Sequence, residues 1–316
     1  MKSQIRFVLV ALSVFMLLQL VGCSDQSEGT GLTDPFIGGT TGLKLDFVEN
    51  APPEDAYDKG TFPFDVAVQL ENVGEYTVER DNIYVKISGF DPADFDKTPA
   101  DMKKNPGEDV RKTYKNSENR KIEGTVTTVE FNGFNYQGNL TGNTPFQIKA
   151  DVCYDYGTTA NSMLCYRENV LDPENDEDDL CDVNEDKKTY NSGAPVQVEN
   201  LKENARGTDR IGFNFDIKHK GTGDIFRLGS GCNSSDRSYE DVIYVTVDTG
   251  MDGGLNCSSL SDATSGYVKL YGDHKTVSCV QDIENPSDFE KPVVITLAYG
   301  YEEDKTTEIM IKHATD

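Results

Sequence analysis

Tryptophan is absent from this 316-residue chain, and histidine is scarce: His219, His274 and His313 are the only three, none near another. That spacing gives neither a histidine-based metal site nor a base set beside a nucleophile. No G-x-S-x-G, H-E-x-x-H or P-loop pattern occurs either. Carboxylates are too numerous for any pair to mark a sugar-cleaving site. The chain is therefore not expected to be an enzyme. Apolar residues at helical spacing are nearly missing, which leaves strands as the main element. Positive charge is short as well, with 30 Lys and Arg against 55 Asp and Glu and a formal net charge of −25. Nucleic acid and anionic lipid would both be repelled by such a surface. Long apolar runs are lacking except for one, at the very start.

That run is "FVLVALSVFMLLQL", Phe7 to Leu20, preceded by Lys2 and Arg6 and no acid. A positive start, a short apolar stretch and a small residue before the cut are the marks of a secretory signal. The run is shorter than the roughly 20 apolar residues a spanning helix needs. Leu20-Val21-Gly22-Cys23 resembles the lipobox of prokaryotic lipoproteins. The resemblance implies cleavage after residue 22 and a diacylglycerol thioether on Cys23, so that the protein is exported and held on the extracytoplasmic face of a membrane. The competing reading is an uncleaved anchor with an incidental cysteine. Residues 23–42 are polar and Gly-rich and read as a flexible tether.

What the chain does have is a repeat. "FPFDVAVQLENVGEYTV" from Phe62 matches "RIGFNFDIKHKGTGDIF" from Arg210, and Gly74 and Gly221 each follow the last alternating apolar residue, Leu70 or Ile217, by four positions. "DNIYVKI" from Asp81 matches "DVIYVTV" from Asp241. "QIKADVCYDYGTTANSMLCYR" from Gln147 lines up with "PVVITLAYGYEEDKTTEIMIK" from Pro292, placing Tyr154 and Tyr156 on Tyr299 and Tyr301. Alternation with period two marks strands, expected near 43–49, 64–72, 82–88, 124–132, 146–156 and 161–167. In the second copy they are expected near 195–201, 211–219, 241–248, 266–280, 293–301 and 306–313. A closing hairpin is expected in each copy, around "YGTTANS" and "EEDKTT". The reading is all-β: two tandem immunoglobulin-like β-sandwiches, 43–171 and 194–316, joined by an acidic linker at 172–193. Lys86 and Lys218 are expected to guard sheet edges. Residues 90–123 interrupt the first copy, with a short helix expected near 98–104.

Val66 to Glu75, "V-x-V-x-L-x-N-x-G-E", resembles a strand motif of CARDB-like and S-layer-associated domains. "CYDYGT" and "SGAPVQVENL" are similar to stretches of uncharacterised archaeal surface proteins. The resemblance implies tandem extracellular modules used in scaffolding or adhesion, and no reaction. The second copy departs from the motif, carrying His219 and Lys220 where Asn-x-Gly would begin.

Six cysteines remain beside Cys23, and an oxidising compartment lets them pair. Cys153 and Cys165 sit symmetrically on the arms of the expected hairpin, and their counterparts Ala298 and Met310 lack the thiol together. Cys257 is expected to join Cys279, leaving Cys181 and Cys232 as a clamp between copies. A metal cluster would need a CxxC pair or a nearby histidine. Asp172, Glu174 and Asp176 alternate within the acidic run 172–186, yet no glycine follows where a calcium loop needs one. Calcium there is an alternative to a self-repelling linker, and no other cofactor is expected. "DTGMDGG" from Asp248 reads as a Gly-rich turn. Sequons at Asn139, Asn233 and Asn256 allow glycosylation. The paired tyrosines suit core packing better than a sugar-stacking face, since Val152 and Leu297 precede them in the same phase.

These readings converge on a lipid-anchored surface protein with a structural or adhesive role, presenting its sandwiches to a protein or glycan partner. Lys97, Lys103, Lys104, Arg111, Lys112, Lys115, Arg120 and Lys121 make the insertion the candidate contact, including contact with a second copy of the chain. The rival from another class is a lipoprotein that captures a solute or a cation.

Overall fold

The computed structural model describes residues 34–168, 181–285 and 287–314. Cys23, the signal and most of the tether lie outside the described residues, as does 172–180 of the acidic run. The first copy supplies β1 (Leu43–Phe47), β2 (Asp55–Tyr57), β3 (Phe64–Asn72), β4 (Ile83–Ser88) and β5 (Lys103–Lys104). It continues with β6 (Tyr114–Lys115), β7 (Lys121–Ile122), β8 (Val126–Phe134) and β9 (Thr144–Tyr166). The second copy begins with β10 (Asp186–Lys187), β11 (Tyr190–Asn191), β12 (Val196–Ala205), β13 (Arg210–His219) and β14 (Asp224–Phe226). It ends with β15 (Val242–Asp248), β16 (Leu255–Cys257), β17 (Ser265–Lys269), β18 (His274–Asp282) and β19 (Phe289–Lys312). No α-helix occurs among the described residues; the helix expected near 98–104 is a 3-10 turn at Pro99–Met102.

Alternation explains most of these strands. In β3 the side chains of Val66, Val68 and Leu70 are buried, and in β13 those of Phe213, Phe215 and Ile217. β1–β3–β8 form one sheet, and β12–β13–β18 repeat that order inside a five-stranded sheet edged by β10 and β16. β4 beside β9 is likewise repeated by β15 beside β19. The expected strand at 266–280 divides into β17 and β18 around a tight turn, with Tyr271 bridged to His274.

The two closing hairpins are not there. "YGTTANS" and "EEDKTT" stay extended, and β9 and β19 are each one long strand. They pair antiparallel along their whole length, from Phe289 opposite Tyr166 to Ile311 opposite Thr144. Gly157 and Thr158 meet Ala298 and Leu297, so the backbone groups a turn would have satisfied are satisfied by the other copy. Thr158, Thr159, Thr306 and Thr307 are β-branched and suit an extended chain. The result is one nine-stranded sheet running β17–β15–β19–β9–β4–β5, with both copies contributing. The spans 43–171 and 194–316 thus mark two copies of one strand plan whose buried side chains merge in one large cluster, with Cys153, Phe226 and Cys232 in a small second one.

A straight β9 also rewrites the disulfides. Residues twelve apart on one strand lie about 40 Å apart, so Cys153 cannot reach Cys165. Cys153 bonds Cys232, Cys165 bonds Cys181, and Cys257 bonds Cys279 as expected. The bridge between copies is therefore Cys153–Cys232, not Cys181–Cys232. Its 79-residue separation is worth about 4–5 kcal/mol in a chain-entropy account. Lys218 does not guard an edge: β13 lies between β12 and β18, and its ammonium pairs with Glu199 at 3.2 Å. Residues 181–193 of the expected linker are also built in, β10 against β12 and β11 against β9. Lys187 is buried there beside Glu203, 3.3 Å away, whose carboxylate accepts the Cys165 N–H.

Gly74 and Gly221, the matched ends of β3 and β13, have a steric cause. A Cβ on Gly74 would stand 2.1 Å from the Tyr156 hydroxyl, and one on Gly221 2.2 Å from that of Tyr301. Gly74→Ala and Gly221→Ala should each lose about 1–3 kcal/mol of stability by overpacking. Gly107→Ala, with nothing within 4 Å of the new methyl, should be neutral in the same denaturant titration.

Candidate functional site

The repeat offset and the strand register agree on one axis. Tyr154 precedes Tyr299 by 145 residues, as Tyr156 precedes Tyr301. In the sheet Tyr154 stands opposite Tyr301, Asp155 opposite Gly300, and Tyr156 opposite Tyr299. Asp155 thus faces its own counterpart, as a two-fold relation between the copies requires. Residues two apart on a strand share a face, so the four tyrosines gather on one side. All four are fully buried. Their ring centroids are 5.6 Å apart for Tyr154–Tyr156, 5.8 Å for Tyr154–Tyr301, 6.5 Å for Tyr156–Tyr299 and 6.2 Å for Tyr299–Tyr301. No ring face is left for a sugar.

Each hydroxyl needs a partner at such depth. The Val196 N–H donates to Tyr299 at 3.3 Å, as that of Leu43 donates to Tyr154 at 3.4 Å. Tyr299 then meets Thr158 at 3.1 Å, whereas Tyr154 donates to Glu303 at 2.9 Å. Thr158 and Glu303 are counterparts by the same 145-residue offset. Tyr156 reaches Asn72 at 3.5 Å, and Tyr301 meets His219 Nε2 at 3.0 Å. His219 takes the place of Asn72, two residues before the matched glycine. It is half-buried. The two copies keep the same network and differ in its polar ends: neutral on one side of the axis, ionisable on the other.

The ionisable side is also the open one. In the first copy Tyr76 packs on Tyr156 with ring centroids 5.3 Å apart and crowds Gly157. Gly223, two residues after Gly221, stands where Tyr76 would, and a cleft of about 440 Å³ remains. Its walls are Leu43, Lys44 and Leu45 of β1, Thr222 to Asp224, and Glu302 to Lys305 of β19, with Lys149 and Asp151 from β9. Burial pushes the carboxyls of Glu302 and Glu303 above the usual range. Lys149 bridges Asp151 at 2.7 Å and Asp304 at 3.5 Å, and the hydrogen bond to Asp151 raises its own pKa. Among the described residues no set of three or more Asp, Glu, His or Cys side chains is placed to hold a metal ion. On the opposite side, Glu75 replaces Thr222 and accepts the N–H groups of Ile37, Gly38 and Gly193. Tether residues 37 and 38 are thereby docked rather than loose.

The remaining sequence candidates are scattered. Asn139, Asn233 and Asn256 are all exposed. His274 meets Asp273, and His313 meets Asp58 at 2.9 Å. Burial alone would raise the Asp58 carboxyl; the Ala314 N–H, His313 and the Leu140 N–H outweigh it and hold the group at about 2. In "DTGMDGG" Asp248 accepts the Gly250 N–H and Lys291 donates to the Gly250 carbonyl, so the segment is a turn closed by its own neighbours. Within the insertion, the ammonium groups of Lys97, Lys103 and Lys104 lie over the rings of Phe134, Tyr84 and Phe131. Thr158, Glu303 and Tyr76 were not singled out from sequence, and Glu75 only as the end of a strand motif. Extending the tyrosine alignment by two positions would have found the first pair.

No family model matches this sequence, and no curated protein sequence matches it. Among solved structures the chain is similar to the envelope protein VP37 of White Spot Syndrome Virus, at 8% identity over 46% of this chain and 97% of that one, with a TM-score of 0.25. It is also similar to red sea bream transglutaminase, at 9% identity over 87% of this chain and 32% of that one, with a TM-score of 0.16. Neither likeness carries an argument about function.

His219 yields a pH test. The Gly223 N–H donates to the Tyr301 oxygen at 2.9 Å, which frees the hydroxyl proton to point at a neutral imidazole. Burial lowers the His219 pKa, so its contribution to stability is full above the unfolded value of about 6.5 and is lost as pH falls below it. His219→Asn restores the first copy's pairing without the charge. The wild type should lose stability relative to this variant between pH 7 and pH 5, measured by urea unfolding, while the difference stays constant above pH 7.

Proposed function

We propose that this chain is a lipid-anchored envelope protein whose work is display: acyl chains on Cys23 hold the base, and a stiff paired body presents loops to a protein or glycan partner. The observation that carries this reading is the joining of the two copies. A full-length strand ladder and the Cys153–Cys232 bond make the body resist bending between copies, which suits a spacer or scaffold. Three disulfides fit an oxidising, extracytoplasmic compartment. The exposed sequons at Asn139, Asn233 and Asn256 suit an exterior surface. The histidines are engaged by Tyr301, Asp273 and Asp58, which fits a role without catalysis.

One feature favours a second reading. The cleft beside Glu302 and Glu303 is open only because Gly223 stands in for Tyr76, and its acidic lining suits a small cationic solute. A thermal upshift with one member of a panel of small amines, lost in Glu302→Gln, would support capture. Unchanged melting across the panel would dismiss it.

For the anchor, Cys23→Ala should move the protein from the membrane fraction to a soluble extracytoplasmic one. Intact cells treated with added protease should lose the wild-type protein. Retention of the variant in the membrane, or protection of the wild type from protease, would contradict the proposal.

A further inference from the structure

The insertion 90–123 is less basic than its lysines suggest, for it holds eight basic and eight acidic residues. The balance is uneven along it. Residues 111–123 carry Arg111, Lys112, Lys115, Arg120 and Lys121 against Glu118 and Glu123 alone. These residues form and flank the β6–β7 hairpin, where Arg120 pairs with Glu118 and Lys121 with Glu123. Arg111, Lys112 and Lys115 remain as its excess charge.

The same hairpin exposes apolar surface. Tyr114 stands opposite Ile122, 46% and 37% exposed, and Val126 at the start of β8 is 53% exposed. Apolar and cationic groups side by side on a projecting hairpin suit the boundary between acyl chains and headgroups.

Position supplies the third argument. Lys115 Nζ donates to the Asp34 carbonyl at 3.4 Å, so the chain leaves the body toward Cys23 beside this hairpin. Eleven residue steps separate Cys23 from Asp34, a reach of at most about 35–40 Å. Screening confines electrostatic attraction to about 10 Å, so a basic face beside the tether's exit is well placed to feel headgroups, while the acidic remainder of the body is pushed away from them.

We propose that the β6–β7 hairpin is a membrane-contact face, laying Tyr114 and Ile122 into the headgroup layer with Arg111, Lys112 and Lys115 on anionic lipids. The proposal rests on acylation of Cys23 for its geometry. The net charge of the chain as a whole argues against anionic lipid; the local excess on the hairpin reverses that sign where it matters.

The absence of tryptophan makes the test clean. Tyr114→Trp and, as a distant control, Tyr271→Trp (72% exposed) each give a single indole emitter in the full chain. The protein is reconstituted into vesicles of phosphatidylcholine with or without phosphatidylglycerol. Emission from Tyr114→Trp should move to the blue on anionic vesicles and be quenched by brominated acyl chains. Added salt, or Arg111→Glu with Lys112→Glu, should reverse both effects, and Tyr271→Trp should not respond. Unchanged Tyr114→Trp emission overturns the proposal and favours a protein partner for the hairpin. Equal responses on neutral vesicles, from Tyr271→Trp or after charge reversal overturn it too. Vesicle flotation and the mass of residue 23 report the anchor separately. If the anchor fails, the same emission comparison on vesicles added to the soluble chain still decides.

Discussion

The pairing of β9 with β19 is the constraint on which the rest of the structure depends. Each strand is too long for one sandwich, and each completes the other's hydrogen bonds over its full length. The central pairs bring four tyrosines into one buried cluster, where aromatic contacts add roughly 0.5–1.5 kcal/mol each beyond burial. Their hydroxyls then reach into the covering sheets at Leu43, Asn72, Val196 and His219. The axis thus ties three sheets together with polar bonds inside an apolar core. Glycine is required at 74 and 221 because the hydroxyls of Tyr156 and Tyr301 come that close.

Around this axis the two copies diverge in a concerted way. Thr158 becomes Glu303, Asn72 becomes His219, Glu75 becomes Thr222 and Tyr76 becomes Gly223. All four changes fall on one side: Glu303 and His219 make the ends of the tyrosine network titratable, while Thr222 and Gly223 leave open what Glu75 and Tyr76 fill in the first copy. On the filled side the residue-37 segment is clamped by Glu75, which fixes where the tether leaves the body. The asymmetry therefore separates two surfaces: the hairpin near the tether's exit and the acidic cleft along β19.

The sequence revealed the strand plan and its repetition, because alternation of buried side chains and matched glycines are local signals. β3 begins and ends where the Phe64–Asn72 pattern says. The repeat also held the clue to the axis, in the constant offset between tyrosine pairs, but a repeat is silent about whether its copies stand apart or share a sheet. "YGTTANS" has turn-forming residues, and only a partner strand of equal length makes it extended; that partner lies more than a hundred residues away. The disulfide error followed directly, since Cys153 and Cys165 are neighbours only if the hairpin exists. The polar ends of the tyrosine network were hidden for another reason: Asn72, Glu75 and Thr158 look like ordinary strand-end residues until the hydroxyls that meet them are placed.

A single body built on β9 and β19 unfolds differently from two sandwiches on a linker. Differential scanning calorimetry of the chain with Val68→Ala, a core change confined to the first copy, measures this most directly. One transition, shifted as a whole to lower temperature and with calorimetric and van't Hoff enthalpies in agreement, is the predicted result. A transition that splits, with the second copy melting at its original temperature, would contradict the account.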